Sequence, residues 1–273
     1  MPAALPYDRF SAQGNVFCVL DFQYIDTPVP RQTIQRWANV AQTRFFDQLL
    51  IIDASADHDN PYPVVIYNAD GSTAEQCGNG MRAPAFWLHR RGHTRATVLH
   101  PPAGAVEIAK LQPSTQSNRA WVKVRLPGPC VESEHALWPD TPALGAARVS
   151  LGNPHLVLRW PHPPTGDECL QVGGHAQQDP HFPDGVNVGL AHVRGDDVQL
   201  RVYERGVGPT DACGSGACAA AFALAAMGVR QPPITVGQPG GKLMVDWSGD
   251  VHAARVVELA GDVDWIEQGQ FQA

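Results

Sequence analysis

The chain carries the same four-residue pattern twice, as Cys77-Gly78-Asn79-Gly80 and Cys213-Gly214-Ser215-Gly216. Each copy stands where apolar spacing predicts the start of a helix. A cysteine at that place faces unbonded backbone N–H groups and the positive end of the helix dipole, and both favour the thiolate. The glycines let the backbone come close to a ligand, and the N–H groups can bind a carboxylate. One such thiol would suit a nucleophile or a redox centre. A pair suits proton exchange at the α-carbon of an amino acid, which needs a base on one face and an acid on the other. N–H donors already in place would stabilise the enolate charge that develops on the carboxylate. A Schiff-base cofactor requires a lysine, and the three lysines, Lys110, Lys123 and Lys242, lie away from both motifs. The expected route therefore uses no cofactor.

The elements that must position these thiols recur in the same order. Residues 16–21 read as a short strand, 34–41 as an amphipathic helix, 48–53 as a buried strand and 64–67 as another, followed by a turn at 69–72. Then comes the first motif and a helix over 81–91, with Gly92 as its stop. In the second half, strands at 149–151 and 156–158 flank Gly152-Asn153-Pro154-His155, and residues 186–190 and 198–203 form further strands. The second motif opens a helix over 217–227 whose residues are apolar on every face, so strands must cover it all round. The two motifs lie 136 residues apart, which suggests a duplicated lobe. The expected class is α+β, with two similar lobes, each a curled, mostly antiparallel sheet around a central apolar helix. The polar stretch 112–118 serves as the boundary, giving an N-terminal lobe of 1–118, to which 263–273 return, and a C-terminal lobe of 119–262.

Composition narrows the function classes. With 20 Lys+Arg against 27 Asp+Glu the net charge is −7, which disfavours the broad basic surface that a nucleic acid requires. A 44% apolar and 17% charged chain is globular rather than disordered. No stretch has the length and apolarity of a membrane span, and residues 1–8 lack the basic and apolar segments of a signal peptide, so a cytoplasmic protein is expected. Six cysteines without a C-x-x-C pair predict neither a disulfide scaffold nor a metal site.

Taken together, Gly14-Asn15, Phe46 to Leu50, Asn68 to Ser72, Cys77 to Gly80, Gly152 to His155, Phe182-Pro183 with Val186 to Gly189, Tyr203 to Gly206, Ala212 to Ala219 and Pro239 to Gly241 resemble the diaminopimelate epimerase family, in its order and over nearly the whole chain. The resemblance implies interconversion of LL-2,6-diaminopimelate and its meso form, in lysine and peptidoglycan precursor synthesis, without pyridoxal phosphate or metal. It puts Cys77 and Cys213 in the positions of the two catalytic thiols, and His155 and Glu204 in positions that tune them. It implies substrate contacts at Asn15, Gln48, Asn68, Gly78, Asn79, Asn153, Asn187, Glu204, Arg205, Gly214 and Ser215, and a homodimer.

The chain departs from the family at Val16, where Asp is usual, at Phe45-Phe46, where a glycine-containing turn is common, at Ala253 to Arg255, and at Leu259, in place of an aromatic residue associated with dimerisation. Pro84 falls inside the expected first helix, where it would cost about 3 kcal/mol. Other readings fit single residues. Cys18, Cys130, Cys169 and Cys218 read as core or loop residues. Asn68 and Asn187 also suit strand ends, Glu204-Arg205 a solvated pair, and His155 a local turn. Two rival functions are a proline racemase or hydroxyproline epimerase, where a His usually replaces Asn79, and an amino-acid binder that has lost turnover.

Overall fold

The computed structural model describes residues 4–25, 27–40, 43–55, 61–75, 77–95, 97–115, 118–134 and 141–272. Ala41, at the end of the first expected helix, and residues 116 and 117 of the expected boundary fall outside them. The chain forms two compact units, one of residues 1–125 with 260–273, the other of residues 126–259.

In the first unit, strand Ala4–Ala12 pairs antiparallel with Asn15–Asp21 and with the far end of the long last strand, Val256–Gln272. Asn15–Asp21 pairs parallel with Gln48–Ile52, which pairs antiparallel with Tyr62–Asn68. Tyr62–Asn68 then takes Thr73–Ala74 antiparallel and Val98–His100 parallel. Helix α1 (Arg31–Ala38) fills the first parallel crossover and helix α2 (Arg82–Arg90) the second. The α1 side chains Ile34, Trp37 and Ala38 join a core with Leu49, Ile51 and Phe271. Helix α2 packs on strands Ala4–Ala12, Asn15–Asp21 and Val106–Pro113. Its outer end is tied down by Asp8, whose buried carboxylate accepts from Trp87 Nε1 (2.8 Å), Trp265 Nε1 (2.9 Å) and Arg91 (3.0 Å).

The second unit repeats these pairings. Ala146–Ser150 is antiparallel to Pro154–Arg159, which is parallel to Asn187–Arg194. That strand is antiparallel to Asp197–Glu204, which takes Gly208–Thr210 antiparallel and Ile234–Gln238 parallel. Helix α3 (Gly166–Ala176) fills the first crossover and helix α4 (Gly214–Ala226) the second. Eleven of the thirteen α4 residues are buried, from Gly214 to Ala225 with Ser215 excepted, so a helix without a polar face is covered on all sides, as its sequence requires. No helix among the described residues is long and apolar enough to cross a membrane. Leu259 is fully buried within the chain.

Pro84 needs no interior kink. Regular helix begins only at Arg82, so Pro84 is its third residue, where an N–H would have no acceptor within the helix. With no Pro84 N–H to receive, the Gly80 carbonyl instead takes the N–H of Ala83 at 3.0 Å, a tighter turn. The expected start at Met81 therefore shifts by one residue, and Cys77 caps an irregular turn rather than the helix itself.

Candidate active site

The strand registers align the two units residue by residue. Phe17 pairs with Gln48, and His155 with Asn187, across the equivalent parallel pairs. Gln48 faces Asn68 on the next strand, and Glu204 follows Tyr203, which faces Val188. Asn15 thus corresponds to Asn153, Gln48 to Asn187, Asn68 to Glu204 and Cys77 to Cys213. The expected site residues, six in the first unit and eight in the second, lie at strand ends and in the turns that carry the two cysteines.

Both thiols are held in the same way. Cys77 Sγ accepts the N–H of Gly80 at 3.2 Å, and its carbonyl accepts that of Met81 at 2.9 Å. Cys213 Sγ accepts the N–H of Gly216 at 3.3 Å, and its carbonyl that of Ala217 at 3.0 Å. A sulfur that accepts such an N–H faces its partial positive charge, and Cys213, as the N-cap of α4, also faces the end of the helix dipole. Both glycines leave little room for a side chain. A Cβ at Gly80 would lie 3.0 Å from Cys77 Sγ and from Phe17, and one at Gly216 2.9 Å from Val202 and 3.2 Å from Cys213 Sγ.

In the first unit the expected polar side chains besides Cys77 are all amides. The Asp47 carboxylate takes the N–H of Val16 at 2.8 Å and so fixes the strand that carries Asn15 beside the one that carries Gln48. Gln48 Nε2 donates to Asn68 Oδ1 (2.9 Å), and Asn68 Nδ2 to Ser72 Oγ (3.0 Å). Gln48 Oε1 is buried and has no hydrogen-bond partner. Asn79 is 3% exposed, and its Nδ2 donates to Asn15 Oδ1 (2.8 Å) and to the Ala12 carbonyl (3.1 Å). Gly78 is half-buried beside it.

In the second unit the expected side chains include two ionisable groups, Glu204 and His155. Glu204 hydrogen-bonds the Cys213 thiol and accepts from Thr210 Oγ1 at 2.6 Å; burial raises its pKa, partly offset by those two bonds. His155, 2% exposed, is pushed by burial down to about 4 and is therefore neutral near pH 7, with Nε2 3.2 Å from Asn153 Oδ1. Ser215 Oγ lies 3.4 Å from Cys213 Sγ. Asn187 accepts the N–H of Arg205 (2.9 Å) and donates to the Pro154 carbonyl (3.1 Å). The Arg205 guanidinium is exposed and donates to the Asp184 carbonyl at 3.1 Å. Gly214 is buried at the first position of α4.

Sequence reasoning passed over three residues of these half-sites. Gln238 holds the Cys213 backbone from both sides, accepting its N–H at 2.8 Å and donating to its carbonyl at 3.1 Å. Its only signal was its place before Pro239-Gly240-Gly241. Thr210 had no signal. Arg82 is fully buried five residues after Cys77, a place where a charged residue in an apolar helix is conspicuous.

Comparison with known proteins gives the family. A family model described as diaminopimelate epimerase matches residues 147–266. The diaminopimelate epimerase of Pseudomonas syringae pv. tomato is 33% identical, covering 98% of this chain and 99% of its own. That of Xanthomonas axonopodis pv. citri is 37% identical over 98% of this chain and 96% of its own. Among solved structures, a phenazine biosynthesis protein of the PhzF family from Bacillus anthracis superposes with a TM-score of 0.74 at 13% identity over 99% of both chains, a likeness of fold. With whole-length relatives at this identity and two matched cysteine half-sites, the chain belongs to the diaminopimelate epimerase family.

Proposed function

We propose that the protein is an isomerase that converts LL-2,6-diaminopimelate to the meso form, with Cys77 and Cys213 as its two proton carriers. The observation that carries this reading is the matched setting of the two sulfurs, each against the N–H three residues ahead, in a chain whose relatives bear that name. One thiolate removes the α-proton as the C–H electrons move onto the carboxylate. The other thiol gives its proton to the opposite face, so the thiol and thiolate have exchanged places and the stereocentre is inverted. N–H groups of the two Cys-Gly-x-Gly segments, with Gly78, Gly214 and Ser215 among them, stabilise the enediolate charge.

The remaining residues suit the rest of the substrate. Gln48 Oε1, a buried acceptor without a protein partner, suits an ammonium group. Asn15, Asn68, Asn79, Asn153 and Asn187 supply neutral donors and acceptors, and Arg205 a planar fork for the distal carboxylate. Glu204 and the neutral His155 set the surroundings of the second thiol. The same reading includes a cytoplasmic homodimer, for which sedimentation of the purified protein is the check on assembly. The test of function is incubation with LL-diaminopimelate, proline and hydroxyproline in parallel. Formation of meso-diaminopimelate with neither imino acid turned over is expected; racemisation of proline without action on diaminopimelate would overturn the substrate.

A further inference from the structure

Arg82 has no exposed surface, and among the described residues no carboxylate forms an ion pair with it. Its donors go to neutral acceptors: Gln13 Oε1, Asn79 Oδ1 and, at 3.4 Å, the Asp262 carbonyl. Its Nε has no partner. The ionisable groups that act on it are Cys77, on the loop before its own helix, and Asp262, on the last strand. Burial lowers its pKa to about 10, which still leaves the guanidinium charged near neutral pH. A buried cation held only by amides is costly unless an anion forms beside it. In the second unit the equivalent position, five residues after Cys213, is Cys218, fully buried and neutral, with burial pushing its thiol up to about 12. The charge therefore serves something the first half-site needs and the second does not.

The amide contacts have a direction. Because Arg82 occupies Asn79 Oδ1, only Asn79 Nδ2 is left for Asn15, and it donates to Asn15 Oδ1. With its oxygen occupied, Asn15 offers its NH2 group to a ligand.

We infer that Arg82 is the positioning residue of the first half-site: its buried guanidinium is the counter-charge of the Cys77 thiolate and, through Asn79, sets the Asn15 amide to present its NH2 group. The inference rests on reading Cys77 as a proton carrier, but its first test uses no substrate. Cys77 alkylation by iodoacetamide is followed by peptide mass spectrometry over a pH series, with exposed Cys130 as internal control. In Arg82→Met, removal of the cation slows Cys77 alkylation at neutral pH by about tenfold and moves its midpoint up by about one pH unit, while Cys130 is unaffected. Arg82→Lys keeps the charge, so the Cys77 profile stays close to wild type. The shorter reach of its single ammonium loses the Nη2 bonds to Gln13 and Asn79, so KM for diaminopimelate rises several-fold with a smaller change in kcat.

A folded Arg82→Met protein with an unchanged Cys77 profile overturns the inference, as does Arg82→Lys moving the profile as far as Met does. If Arg82→Met does not fold, Arg82→Lys and Asn79→Leu decide: both must raise KM without moving the Cys77 profile, and a wild-type KM in either contradicts the relay. A protein that ignores diaminopimelate yet shows the Arg82-dependent alkylation shift would sink the substrate assignment and leave the role of Arg82 standing.

Discussion

The two half-sites share one backbone plan and differ in almost every ionisable residue. Phe17 stands where the other unit has His155, Asn68 where it has Glu204, and Arg82 where it has Cys218, while the cysteines and their N–H donors coincide. The shared strand pairings and the same glycine set each sulfur against the N–H three residues ahead, at the start of α4 for Cys213 and in the turn before α2 for Cys77. The charge around each sulfur is chosen separately. One thiol has a buried cation in its field; the other is hydrogen-bonded to a carboxylate, in a unit that also holds a buried neutral imidazole.

That comparison can be broken at its shared element or sharpened at the differing ones. The largest effect is expected from Cys77→Ala and Cys213→Ala, each of which should cut steady-state epimerisation by roughly 10³-fold or more, with circular dichroism unchanged. Equal loss in both is required, since each face needs its own proton carrier. Glu204→Asn imports the amide chemistry of Asn68 into the second unit and removes the hydrogen bonds to Cys213 and Thr210; kcat/KM should fall about 100-fold. Arg205→Lys retains charge but not the planar fork, and about a tenfold loss in kcat/KM, mostly through KM, is expected in initial-rate kinetics.

The smallest effect at neutral pH comes from His155→Phe, which copies Phe17. Burial holds the folded-state pKa of His155 near 4, below its ordinary 6.5, so the unfolded chain binds the extra proton first as pH falls. Its contribution to stability is complete above about pH 6.5 and is lost as pH falls towards 4, on the order of 3 kcal/mol in total. Denaturant titrations of His155→Phe should show a shallower loss of stability across that window. A slope equal to wild type would mean that His155 is not buried as a neutral ring.

Much of this was legible because short patterns carried it. The repeated Cys-Gly-x-Gly located both thiols, and the apolar run 217–227 required the wrapped helix. Helix α3 was not anticipated, although Thr165 and Glu168 form a capping box there, with Thr165 Oγ1 accepting the Glu168 N–H at 3.2 Å and Glu168 Oε2 accepting that of Thr165 at 2.8 Å. Flanking Pro163-Pro164 and three glycines within 166–174 masked its period. Arg82 escaped notice for a different reason. Its role depends on burial and on which amide oxygen it occupies, and neither can be read from spacing. Gln238 and Thr210 reach Cys213 and Glu204 only through strand register, a long-range property that local patterns do not encode.

The central claim is that two thiols, not one, carry the proton. Its most direct test is the conversion of LL-diaminopimelate in D₂O, sampled at low conversion. The two-thiol account predicts that the meso product carries solvent deuterium at the inverted α-carbon while recovered LL substrate keeps its hydrogen, because the proton taken from one face is not the one delivered to the other. Meso product that retains the original hydrogen, or recovered LL substrate that gains deuterium as fast as product forms, would mean that a single base serves both faces and would contradict the account.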